Sequence, residues 1–139
     1  MSLARIYSLI LILLLVSSCA QVGTINGGPK DETAPQPKQL QVNPPNESVN
    51  FTEKKIEIPF NEFITLSSAS ENIRIVPPHA KLNSYMKKKS LIIEWDEDLK
   101  SNTTYAIYIN NAVKDITEGN DTIIQYVFST GPELDSVKY

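Results

Sequence analysis

The 139-residue chain has one cysteine, one histidine and one tryptophan. A single thiol cannot close a disulfide within the chain, so stability must come from a packed core. The lone histidine, His79, follows Pro77-Pro78 in an expected loop, and no Gly-x-Ser-x-Gly motif accompanies it. Catalytic triads need a nucleophile, a base and an orienting acid, and no such set is assembled here, so no catalytic residue is expected. One His and one Cys cannot build a zinc site, and no metal or cofactor is expected. Long apolar runs are also missing. The longest extends from Ile6 to Val16, interrupted by Tyr7 and Ser8, whereas a spanning helix needs about 20 apolar residues. Basic residues are outnumbered, 13 Lys and Arg against 16 Asp and Glu, for a net charge of −3. That balance argues against nucleic acid, which requires a basic face. No long amphipathic helix pattern is present.

What is present begins at the amino terminus. One positive charge, Arg5, precedes the apolar run, which ends in Val16-Ser17-Ser18-Cys19. A charged start, an apolar centre and small residues describe a secretory signal peptide. An aliphatic residue, two small residues and a cysteine also resemble the lipobox of bacterial lipoproteins. That resemblance implies a diacylglycerol on the Cys19 thiol, cleavage before it, and acylation of the new amino terminus. Two or more acyl chains give stable anchoring where one is marginal. The competing reading is an ordinary signal peptide with a stray cysteine near its end.

Residues 1–18 are thus expected as signal peptide and residues 19–38 as a flexible tether. The tether holds Gly23, Gly27, Gly28, Pro29, Pro35 and Pro37 without apolar periodicity, a composition that buries too little apolar surface to fold. From residue 39 the pattern changes to period two. Ile56, Ile58 and Phe60 share a face, as do Ile73 with Ile75, Leu91 with Ile93 and Trp95, Tyr105 with Ile107 and Ile109, and Ile124 with Tyr126 and Phe128. Alternation of this kind marks half-buried strands. Gln39–Val42, Phe63–Leu66 and Lys81–Met86 are weaker candidates. Turn residues separate the segments at Asn43-Pro44-Pro45-Asn46, Pro77-Pro78, Lys87-Lys88-Lys89, Asp96-Glu97-Asp98 and Glu118-Gly119-Asn120-Asp121. Short strands with turns every eight to twelve residues indicate an all-β fold, an antiparallel sandwich, over residues 39–131. Residues 132–139 are left as a tail. Pro59 inside a strand pattern places that strand at an edge or a bulge.

The order of several short motifs resembles the bacterial Ig-like domain of the S-layer-protein type. The motifs are Phe60-Asn61-Glu62, Val76-Pro77-Pro78, then Leu99 with Asn102, Thr103 and Tyr105, then Asp115 with Gly119 and Asn120, and the closing Phe128-Ser129-Thr130-Gly131. Together with the lipobox and Gly27-Gly28-Pro29-Lys30-Asp31, they are similar to a group of Gram-negative envelope lipoproteins. The resemblance implies an Ig-like β-sandwich without the antibody-type cysteine pair. These residues are marks of a fold: a Tyr105 ring buried with its hydroxyl bonded, a turn at Asn102-Thr103, and positive φ at Gly119-Asn120.

Other residue groups invite a chemical reading. The acids Glu94, Asp96, Glu97 and Asp98, or Asp115, Glu118, Asn120 and Asp121, could offer oxygens to calcium, although neither run has the EF-hand spacing; solvated turns are the simpler expectation. Lys87-Lys88-Lys89 suits the polar tip of a hairpin. Most aromatic side chains fall at inward positions, with Tyr108 out of phase. Asp121-Thr122-Ile123 and Asp135-Ser136-Val137 resemble an O-glycosylation acceptor pattern of some Gram-negative phyla, making Thr122 and Ser136 candidate sites. Asn-x-Ser/Thr triplets begin at Asn46, Asn50, Asn102 and Asn120, a pattern read chiefly in other secretory systems.

The expected whole is a lipid-anchored, non-catalytic envelope protein with a structural or protein-interaction domain. The membrane is its partner through Cys19, and an envelope protein or glycan is a further partner. A glycan- or peptide-binding module, or the first part of a longer multidomain protein, are the alternatives. Ala20-Gln21 lacks an aspartate after the cysteine, which implies the outer membrane with the domain facing the periplasm.

Overall fold

The computed structural model describes residues 31–135, together with residues 3, 4, 7, 28 and 29. The chain divides into two units, Met1–Lys30 and Asp31–Tyr139. In the first, Leu3, Ala4 and Tyr7 are helical and exposed. No helix among the described residues is long and apolar enough to cross a membrane. Val16 to Cys19 and Ser136 lie outside the described residues.

The second unit is an all-β sandwich. One sheet has the order β1-β5-β4, from β1 (Lys55–Pro59), β4 (Asn83–Lys87) and β5 (Ser90–Glu94). The other is built on β6 (Thr104–Asp115), which β7 (Asp121–Ser129) pairs along one edge. Because β7 covers that edge from Thr104 to Lys114, the short strands β3 (Ile73–Val76) and β2 (Ile64–Leu66) lie end to end on the other. All of these pairings are antiparallel. A one-turn helix, α1 (Ala69–Asn72), links β2 to β3.

The alternating residues face the core as their spacing requires. Ile56, Ile58, Leu91, Ile93, Tyr105, Ile107, Ile109, Tyr126 and Phe128 are fully or almost fully buried. Burying one such side chain is worth about 1.5–3 kcal/mol. Ile92 departs from the simple pattern: it points to the outer face yet is only 2% exposed. β5 is the central strand, and Ile92 sits between Glu57 on β1 and Tyr85 on β4. Their side chains flank it. The periodicity of β6 breaks at a bulge between Asn110 and Val113, with Asn111 at φ 57°. A bulge inserts an extra residue and shifts the facing of the residues after it, so Ala112 and Val113 are both buried.

The centre of the core is aromatic. The Phe128 ring lies 4.2 Å from Phe51, 5.6 Å from Tyr105, and 5.9 Å from both Trp95 and Tyr126, centroid to centroid. The Tyr126 hydroxyl donates to the Pro44 carbonyl at 2.9 Å. Burial, with the Glu53 carboxylate adding to it, pushes that hydroxyl's pKa far above the usual tyrosine range.

The compact unit starts at Asp31, ahead of the boundary expected at residue 39. The expected tether over residues 19–38 therefore includes residues that belong to the sandwich. Pro35 is buried. The Gln36 amide donates to Asn61 Oδ1, the Asn61 amide to the Gln36 carbonyl, and the Lys38 amide to the Pro59 carbonyl. Asn43 exchanges both backbone hydrogen bonds with Glu57. The chain then crosses to the second sheet, where the Glu47 and Phe51 amides donate to Val127 and Ser129 of β7. Residues 36–51 thus form a strap over one side of the sandwich, covering the outer edges of β1 and β7. Within it the strand expected at Gln39–Val42 is replaced by one turn of 3-10 helix, Gln39–Gln41.

The loop between β6 and β7 is held by Asp115, which is 3% exposed. Its Oδ1 accepts the Glu118 and Gly119 amides at 2.6 and 2.8 Å, and its Oδ2 accepts the Asn120 amide at 3.2 Å. Burial alone would raise this carboxyl's pKa, but the amide hydrogen bonds outweigh it and hold the value below the ordinary aspartate range.

This packing sets the stability expected of two variants. Trp95, 3% exposed, should cost about 3–5 kcal/mol when cut to alanine, against a total stability of about 5–15 kcal/mol for a domain. Trp95→Ala should therefore lower the thermal midpoint by more than about 10 °C; an unchanged midpoint would place the indole outside the core. Asp115 should stabilise the fold fully above the unfolded aspartate pKa of about 3.9, and lose that contribution as pH falls through its lower folded value. Urea titrations of wild type and Asp115→Asn at pH 7 and pH 3 should show a smaller pH dependence in the variant, and equal dependence would exclude Asp115 as a source.

Candidate interaction site

The motif residues singled out in the sequence prove to be construction points. Phe60 is buried, and Asn61 clamps the strap at Gln36. Lys100 donates its amide to the buried Tyr105 hydroxyl at 3.0 Å. Thr130 Oγ1 accepts the Thr103 amide at 3.0 Å and donates to the Lys100 carbonyl at 2.6 Å. Asn102 has φ 49°, and a Cβ on Gly131 would meet Asn102 Cα at 3.0 Å. The Leu99–Tyr105 turn and the Phe128–Gly131 ending are therefore one interlocked piece, and a side chain at 131 would require the Asn102 backbone to shift.

The chemically suggestive residues do not come together. His79 is exposed, with Nε2 2.9 Å from the Asp98 carbonyl oxygen. Asp98 pairs with Lys54 at 2.7 Å, and that hydrogen bond holds its carboxyl below the usual range. The Glu97 carboxyl is also held low, by backbone amides that include its own and that of Lys81. The Asp115 oxygens already accept three amides. Among the described residues no group of three or more His, Cys, Asp or Glu could hold a metal ion. Thr122 lies on β7, half-buried, opposite Val113 beside the bulge. Lys88 and Lys89 form the two-residue turn of the β4–β5 hairpin, where Lys88 has φ 57° and the Lys89 ammonium sits 4.8 Å from the centre of the Phe63 ring.

Tyr108 is half-buried, but Phe63 and Tyr85 are exposed as well. They share no face. Tyr85 stands on the outside of the β1-β5-β4 sheet with its hydroxyl on Glu94 at 3.3 Å, whereas Tyr108 belongs to β6 in the other sheet. A sugar-stacking platform would need such rings aligned.

The geometry does single out one lateral side. Opposite the strap, β4 is the outer strand of one sheet, and β3, end to end with β2, is an outer strand of the other. Among the described residues, neither has a backbone partner on its outer edge. Between them runs a cleft of about 480 Å³ floored by Ile73, Ile75, Ala80 and Leu82. A small side chain on β4 contributes to it. In the inward row Ile56–Ile93–Ser84, the last position is small, while the next row, Ile58–Leu91–Met86, is filled. Sequence alternation marks Ser84 as inward but carries no sign that its neighbour across the sandwich would be an open edge.

Comparison with known proteins agrees with this architecture. A search of curated proteins finds no match to the chain. A family model described as bacterial Ig-like domain matches residues 31–130, the same start as the compact unit. Such domains are typically non-catalytic, and the motif residues above serve folding in this one. With the match spanning most of its length, the chain belongs to the bacterial Ig-like domain family.

Proposed function

We propose that this is a lipid-anchored protein of the bacterial envelope whose Ig-like domain is a protein-interaction module without catalytic activity. The observation that carries the reading is the asymmetry of the sandwich: one side is sealed by the strap, and among the described residues the other leaves its strand edges and an apolar cleft open. Unpaired edges are hazards that proteins normally cover, and they are also the surface on which extended segments add as strands. The cleft favours a polypeptide over a glycan, because no aromatic ring lines it.

The anchor is supported by Val16-Ser17-Ser18-Cys19. Ala20-Gln21 supports the outer membrane with the domain facing the periplasm. The motif order supports the S-layer-protein type within the family. Thr122 and Ser136 are the candidate O-glycosylation positions. Cys19→Ala should abolish metabolic labelling with palmitate and release the protein from the membrane fraction; undiminished labelling would refute the anchor. Shaving of intact cells with protease should leave the domain intact, and rapid loss would put it on the outer surface instead.

A further inference from the structure

We infer that the β3–β4 side takes an extended acidic polypeptide segment, which adds as a strand and inserts an apolar side chain above Ser84. The inference rests on the reading of this side as an interaction surface.

The molecule itself contains the binding mode. On the opposite side, one irregular extended segment seals the sandwich by pairing first with β1 and then with β7. It turns Val42 and Phe51 into the core as it passes. Among the described residues the other side presents the same elements: strand edges with backbone donors and acceptors, and an apolar floor between them. Strand addition supplies affinity through main-chain hydrogen bonds and specificity through pockets for alternate side chains. The room above Ser84, bounded by Ile73, Ile75 and Leu82, is such a pocket.

Charge decides the occupant. The charged residues lining the cleft are Arg74 and Lys81, both exposed and both basic, in a chain whose net charge is −3. Arg74 donates its Nε to the Glu71 carbonyl at 2.8 Å, which leaves the outer guanidinium nitrogens for a further acceptor. Glu97 accepts the Lys81 amide and does not line the cleft. A second copy docked on this side would add two more cations to it, whereas carboxylates would complement the two already there. A segment alternating apolar residues with carboxylates satisfies edge, pocket and charge together.

The test uses the purified full chain and two fluorescein-labelled octapeptides, one alternating valine with aspartate and one alternating valine with lysine, read by fluorescence anisotropy. The aspartate peptide should bind saturably and the lysine peptide at least about tenfold more weakly, the scale expected of two rim charges. Arg74→Glu combined with Lys81→Glu should reverse that order. Ser84→Phe should fill the pocket and abolish binding while keeping or raising the thermal midpoint. Equal binding of the two peptides, no saturable binding of either, or binding indifferent to Ser84→Phe would overturn the inference. So would concentration-dependent dimerisation in sedimentation experiments that Ser84→Phe removes, because the cleft would then belong to a second copy. None of these readouts depends on lipid, so the inference can fail while palmitate labelling at Cys19 succeeds, and the reverse.

Discussion

The backbone pairing of residues 36–51 with both sheets is the constraint on which the rest depends. Each sheet of a small sandwich has two edges, and an uncovered edge is a template for unwanted pairing. The strap covers β1 and β7 with one run of chain, held by the Asn61 clamp at its start and by Phe51 in the aromatic cluster at its end. Its prolines restrict the unfolded chain and lower the entropy lost on ordering. They also forbid a regular ladder, which explains why the pairing comes as isolated bridges.

With one side closed, the core can be completed from both sheets. Phe128 touches rings from the strap, from β6 and β7, and from the residue after β5. The turn before β6 is bolted to the end of β7 through Thr130 and to β6 itself through the Tyr105 hydroxyl. A tyrosine hydroxyl bonded to backbone a few residues upstream is a known device of Ig-like sandwiches. The buried polar groups are satisfied: among the described residues no buried side-chain nitrogen or oxygen lacks a hydrogen-bond partner. This is a frame with its polar groups committed to structure, and among the described residues the strand edges left without a backbone partner lie on the side opposite the strap.

Much of the frame was legible in the sequence because strand alternation is local. Ile56, Ile58 and Phe60 state a face by themselves, as do Tyr105, Ile107 and Ile109. The strap was not legible for the opposite reason. Pro37, Pro44 and Pro45 suppress periodicity, and its partners on β1 and β7 are distant in sequence. The continuation of β6 to Asp115 was hidden by the bulge at Asn111, which breaks the phase. Ile92 could not be assigned an outer yet buried place until β5 was known to be central. The cleft was the least legible feature. It requires a small residue at Ser84 and the meeting of two open edges, and the second condition exists only in three dimensions.

Native-state hydrogen exchange resolved to single amides tests the asymmetry most directly, because exchange reports local opening where an amide lacks a partner. The donors at Lys38, Asn43, Glu47 and Phe51 should exchange as slowly as the core strands, while the alternate amides of β3 and β4 that point away from β6 and β5 should exchange far faster. Equal protection on both sides, or an unprotected strap, would contradict an architecture sealed on one side and open on the other.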